Sequence, residues 1–310
     1  KAADKGHRDA QYNLALMLEK GLGGPVDMVG ARVQYKKAAD QGHMESQYNL
    51  AHMLRLGEGG PVDMTEARVQ YKKAADQGDV VAPHNLALML YNGEGGPVDM
   101  TEARVQYKKA ADQGDVVPQY NLSLMLYKGE GGPVDVTEAR VLAKKAAHQG
   151  HGGAQFSLAT MLYEGAGGPV DMTEARVQFK KAADQGEAKA QFSLARMLCE
   201  GEGGPVNLKE ARVQYKKSAE QRHDGAQNNL AAMLYHGEGG PVNMVEARVR
   251  YKKAAAQGNM QAPYNLAQML WDGKGGPVGR AEALAQYTRA AHQGHPLAQD
   301  MLANILQQEE

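Results

Sequence analysis

Apolar residues recur along the chain in two alternating patterns, each with the period of a buried helical face. The first is carried by AQYNLALMLEKG at residues 10–21, where Ala10, Leu14, Met17 and Leu18 follow i, i+4, i+7, i+8 spacing. Ala15, replaced by Ser123 in one copy, keeps a small side chain where another helix approaches. The second is DMTEARVQYKKAADQG at residues 63–78, with Ala67, Tyr71, Ala74 and Ala75 on its apolar face. We refer to these as helix A and helix B. Helix A is expected to start at a capping column of His43, Asp79, Asp115, His151 and Asn259. Gly57 and Gly93 stop it, because glycine accepts the left-handed conformation after a helix. Helix B begins with Asp63 and Glu66 spaced as a capping box, as are Asn207 with Glu210 and Asn243 with Glu246. Gly78 ends it.

The two patterns form one repeating unit. A GGPV proline falls at Pro25, Pro61, Pro97, Pro133, Pro169, Pro205, Pro241 and Pro277, always 36 residues apart, and residues 57–79 repeat letter for letter at 93–115. A helix pair of this length cannot bury both of its apolar faces alone, so neighbouring units must stack. The expected fold is all-α: a right-handed superhelical α-solenoid of stacked 36-residue antiparallel helix pairs. It forms a single solenoid over residues 1–310, with a half repeat at 1–6, eight repeats over about 7–294 and a terminal helix at 295–310. That last helix turns polar at Asp300 and from Gln307 to Glu310, as a cap on the stack would. The chain opens in the middle of a unit, since residues 1–7 align with 37–43, and the expectation is that the native N-terminus, with any targeting signal, lies further upstream.

The run AQYNLALML, then GGPVDMTEARVQYKKAADQG, resembles the Sel-one-like repeat, or SLR, a relative of the tetratricopeptide repeat. The likeness covers the whole chain and recurs eight times. It departs from the family pattern at Ala15, where a glycine is usual, at Leu18, where an aromatic is usual, and in the GGPV loop. The two cysteines per repeat of the secreted branch are absent. The resemblance implies a non-catalytic adaptor or scaffold, with helix A lining a concave groove that takes a protein or peptide partner.

Composition narrows the chemistry. With 35 basic and 36 acidic residues the net charge is −1, which disfavours a polyanion-binding or membrane-surface role. Cys199 is the single cysteine, so no internal disulfide is possible and a cytoplasmic location is favoured. No apolar run approaches the ~18 residues of a membrane span, so no membrane insertion is expected. The glycine-rich loop lacks the third glycine of a dinucleotide fingerprint and follows a helix, and no P-loop lysine follows it. Glu58, Asp63 and Glu66 read as one solvated and two capping residues before they read as calcium ligands. His148 with His151, and His292 with His295, straddle a helix end without a third zinc ligand nearby in sequence. Cys199 occupies a column held by Tyr91, Tyr127 and Tyr163 and has no partner base in sequence, so it reads as a packing residue. No cofactor and no metal is expected.

Two candidate surfaces remain. Arg68, Lys72 and Lys73 recur in helix B and would align as a basic stripe, an alternative nucleic-acid or acidic-ligand surface. Asp76, four residues after Lys72, and the neutral total make nucleic acid the lesser reading, and a solvated outer face the expected one. The favoured surface is the helix-A groove. Its candidate partner-binding residues are Asn13, Leu16, Asn49, Leu56, Val81, Asn85, Leu88, Val117, Asn121 and Leu124. The asparagine ladder suits either an extended peptide backbone or a tie from one helix to the next. The groove columns are apolar in the front half and polar behind, at Thr160, Glu164, Arg196, Glu200, His236, Gln268 and Asp272. Ala143 breaks the Tyr71 column close to Gly152 and Gly153, so looser packing and a hinge are expected at 140–155, unless Leu142 refills the space.

Overall fold

The computed structural model describes residues 2–309, without the side chains of residues 306, 308 and 309. Of the expected polar end, the side chains of Gln308, Glu309 and Glu310 therefore lie outside the described residues. Seventeen helices and no strand occur among the described residues. They fall into two compact units, Lys1–His151 and Gly152–Glu310. In the first, helix A is α1 (Arg8–Lys20), α3 (Met44–Leu56), α5 (Ala82–Asn92) and α7 (Val116–Lys128). Helix B is α2 (Met28–Asp40), α4 (Met64–Asp76), α6 (Met100–Asp112) and α8 (Val136–His148). In the second, helix A is α9 (Gly152–Glu164), α11 (Ala188–Glu200), α13 (Asp224–His236) and α15 (Ala262–Asp272). Helix B is α10 (Met172–Asp184), α12 (Leu208–Glu220), α14 (Met244–Ala256) and α16 (Arg280–His292), and α17 (Pro296–Glu309) follows. Within each unit every helix packs on the next in the chain, the arrangement of an α-solenoid built from helix pairs.

Burial follows the expected faces. Leu50, Leu86, Leu122, Leu158 and Leu194 are at most 2% exposed, and Ala51, Ala87 and Ala159 are wholly buried. Met17 departs from its column: it is 46% exposed where Met53 is 3% and Met89 0%. In the second unit, α17 buries Ala298 and Ile305 against Tyr287 and Ala290.

Aromatic contacts join the two helices of six pairs. Tyr48 meets Tyr71 with ring centroids 5.7 Å apart, and Phe192 meets Tyr215 at 5.7 Å. The capping-column histidine of the following unit then stacks on the same helix-A ring: His43 on Tyr12 at 4.6 Å, His223 on Phe192 at 4.5 Å. The cap itself takes two forms. His43 and His223 accept through Nδ1 from the amides of Ser46 and Ala226. Asp79 and Asn259 instead accept from two amides each, at Val81 and Ala82 and at Gln261 and Ala262, where Pro83 and Pro263 delay the helix. Asp115 makes no such bond.

The capping box at helix B is half formed. Asp63 accepts from the Glu66 amide at 3.0 Å, as expected. The reciprocal bond is missing, because the Asp63 amide donates to the Leu54 carbonyl of helix A, and Glu66 accepts from Gln70 at 2.6 Å. The GGPV loop is a joint between units. Gly59 has φ of 66°, and a Cβ there would collide with the Met28 carbonyl of the preceding helix B, so the position needs glycine for both conformation and approach.

Sequence reasoning missed a buried glutamine relay. Gln47 donates to the Ala39 carbonyl at the end of α2 and accepts from Gln77 at the end of α4 at 2.6 Å. Gln119 and Gln191 do the same with Ala111 and Gln149, and with Ala183 and Gln221. Each relay satisfies helix-terminal carbonyls that burial would otherwise orphan.

Ala143 is wholly buried and Leu142 is 5% exposed, in the column held elsewhere by Gln70, Gln106 and Gln178. An apolar side chain thus replaces the buried glutamine of that column next to the lost ring.

Candidate functional site

The sequence-predicted groove residues divide into those brought together and those left apart. Leu88, Asn121 and Leu124 line one cleft of about 170 Å³ between α5, α6 and α7. Tyr91, Asn92, Tyr107, Met125 and Glu130 complete it. Tyr91 was not among the sequence candidates, yet it forms the wall: its hydroxyl donates to Glu130 of the next unit at 3.1 Å. No single column signalled it, because the contact joins residues 39 apart in different repeats. Arg55 meets Glu94 at 3.7 Å, and Tyr163 donates to Glu202 at 3.0 Å. Burial and the Glu130 carboxylate push the Tyr91 hydroxyl above its usual ionisation range, so it stays a neutral donor.

Val81 and Val117 are 42% exposed and sit at the first turns of α5 and α7. Seven residues separate Val81 from Leu88, about 10 Å of helix rise, so these valines extend the apolar surface without lining the cleft. Leu56 is 53% exposed at the end of α3, Leu16 is half-buried in α1, and Asn13 is exposed. Asn49, Asn85 and Asn121 are half-buried and face ring hydroxyls: Asn49 that of Tyr35, Asn85 that of Tyr48 and Asn121 that of Tyr107. Asn229 donates to Tyr215 at 3.0 Å. Part of the asparagine hydrogen-bonding capacity is therefore spent on tying helices together, and an amide with two donors and one acceptor oxygen retains a remainder.

The basic stripe is largely engaged within the fold. Arg68 donates to the Pro97 carbonyl at 2.9 Å and Arg104 to Pro133 at 2.9 Å. Arg32, Arg176, Arg212 and Arg248 grip the loop of the next unit in the same way. The arginine column read as a solvated face is instead a row of clasps. Lys108 pairs with Asp112 at 3.7 Å and with Glu138 at 3.4 Å, and Lys180 pairs likewise with Asp184 and Glu210. Lys73 and Lys109 remain exposed in the last turns of their helices, where a cation favours the helix dipole.

Burial and the Glu238 and Glu200 carboxylates push the Cys199 thiol above its ordinary value, which lowers its thiolate fraction. No group of three or more His, Cys, Asp or Glu side chains is arranged to hold a metal ion among the described residues. Nor is any described helix long and apolar enough to cross a membrane.

The stacked helix pairs define a helical-repeat solenoid. The Sel1 repeat matches residues 8–43, 45–79, 81–115, 119–151, 153–187, 188–223, 225–259 and 261–295, and the chain belongs to this family. Its members are generally non-catalytic protein-interaction scaffolds. Among solved structures, the chain is similar to c5321, a protective antigen present in uropathogenic Escherichia coli strains displaying an SLR fold. The two share 34% identity and a TM-score of 0.86, over 98% of this chain and 65% of that one. The chain thus spans just under two thirds of that relative. A Sel1 repeat protein from Oxalobacter formigenes is 27% identical with a TM-score of 0.71, over 98% of this chain and 88% of that one. No curated protein matches the chain.

Proposed function

We propose that this chain is a non-catalytic scaffold that captures a peptide or partner segment on the helix-A face of its first unit. The observation that carries the reading is the cleft where Leu88 and Leu124 flank Asn121 and Tyr91. It offers two apolar walls for an anchoring side chain, and amide and hydroxyl groups within the same wall for a peptide backbone. Exposed Leu56, Val81 and Val117 extend the apolar surface beyond it. The basic columns support no comparable reading, because the arginines and most of the Lys72-type lysines already have partners.

The test is a displayed random-peptide library selected on the full chain, followed by titration of the selected peptides. The expected outcome is peptides with spaced apolar anchors that lose at least tenfold in affinity on Leu88→Glu/Leu124→Glu, while the helical circular dichroism is unchanged. Equal affinity for the substituted protein would sink the assignment.

A further inference from the structure

Around α13 the repeat pattern is broken twice, each time by an arginine. Arg222 stands where Gly42, Gly78, Gly114 and Gly258 stand in other repeats. It is the one non-glycine residue with positive φ, 68°, among the described residues. Arg250 stands in the column of Gln70, Gln106 and Gln178. Both side chains line a single cleft of about 490 Å³, bounded by the end of α12, the start of α13 and the body of α14.

The cleft follows from the substitutions. In five other repeats the gap is bridged by the glutamine relay, as in Gln77 to Gln47 and Gln185 to Gln155, and Pro83 and Pro263 replace the acceptor glutamine elsewhere. Here Gln227 accepts from Arg250 at 3.4 Å, and Gln257 is left lining the open space. Arg250 is held by Glu246 at 3.0 Å with 13% of its side chain exposed, so it is a fixed charge, not a waving one. Lys253 lies one helical turn further along the same wall. Against these three cations stand Glu220 in the lining and Glu246 behind Arg250. Arg250 spends Nε and Nη2 on Glu246 and Nη1 on Gln227, so the cleft, within the volume range of small-molecule sites, presents the Arg222 guanidinium, the Lys253 ammonium and the remaining Arg250 hydrogens at its wall.

We propose that this cleft binds an oxyanion ligand, a phosphate or carboxylate group carried on a small molecule. The Arg222 guanidinium fork matches the paired oxygens of either group, Arg250 adds fixed positive charge beside it, and the cleft is large enough to hold more than the anion alone. Arg222 takes a backbone conformation that glycine adopts without strain, and what the arginine adds there is charge at the cleft wall.

Isothermal titration of the full chain with inorganic phosphate, pyrophosphate and citrate, at constant ionic strength against sodium chloride, tests this. Saturable one-to-one binding of at least one probe is expected. Pyrophosphate binding tighter than citrate would assign the natural group as phosphate, and the reverse order as carboxylate. Arg222→Gly/Arg250→Gln restores the ordinary repeat residues, so it should keep or raise Tm while weakening binding at least tenfold. Heats no larger than the chloride control for all three probes, or unchanged affinity in the double variant, would overturn the proposal.

Discussion

At the scale of single residues, the asparagine column is explained by its partner column. Asn49, Asn85, Asn121, Asn229 and Asn265 each lie 14 residues after a tyrosine, and Ser157 and Ser193 follow Ala143 and Phe179, which have no hydroxyl. The bond from Asn229 to Tyr215 is such a tie, and Asn49 and Asn121 face Tyr35 and Tyr107, while Asn85 turns instead to Tyr48 and Asn265 to Asn228 at 3.2 Å. This rule was written in the chain, but only two columns read together disclose it; taken singly, asparagine looked equally suited to a ligand. A double-mutant cycle of Tyr215→Phe and Asn229→Ser should give a coupling of about 1 kcal/mol in urea unfolding. Additive single effects would contradict the tie.

The histidines make a second prediction at this scale. Burial lowers the pKa of His84, His151 and His223 below the ordinary 6.5. The folded chain therefore refuses protons that the unfolded chain accepts. Their contribution to stability is complete above about pH 6.5 and is lost as pH falls through the lower folded values. Tm should drop between pH 7 and 5, and His223→Asn, which keeps a capping acceptor, should flatten part of that drop. At the alkaline end the sign reverses: burial carries Tyr215 and Tyr251 up to about 12, so their contribution holds below pH 10 and fades as pH rises toward 12.

At the scale of elements, the helices, their glycine stops and their buried faces were legible, because period and capping chemistry are local. What was not legible depended on the neighbouring unit. The arginine column looked solvent-facing on a helical wheel, yet Arg104 reaches the Pro133 carbonyl 29 residues away. Arg104→Ala should cost about 1 kcal/mol, since the bond is charge-assisted but exposed. Likewise the Ala143 position looked empty by column comparison, and the packing of Leu142 depends on coordinates the sequence does not contain. Leu142→Ala should cost about 2–5 kcal/mol by thermal or urea unfolding, against less than 1 if the segment were already loose. Hydrogen exchange across α8 should match that across α6 for the same reason.

At the scale of the whole molecule, a stack of identical joints leaves function to the columns that change. Leu88, Asn121 and Leu124 line one cleft, and Tyr91 joins them there through its inter-unit pairing with Glu130. The helix-B valines, such as Val105 at 45% exposure, form a competing apolar surface and so serve as the natural control. Site-specific photo-crosslinking decides between the two faces. With benzoylphenylalanine placed singly at positions 88, 124 and 105, a library-selected peptide should crosslink from 88 and 124 and not from 105. Crosslinking from 105 alone would place the partner on helix B and contradict the account.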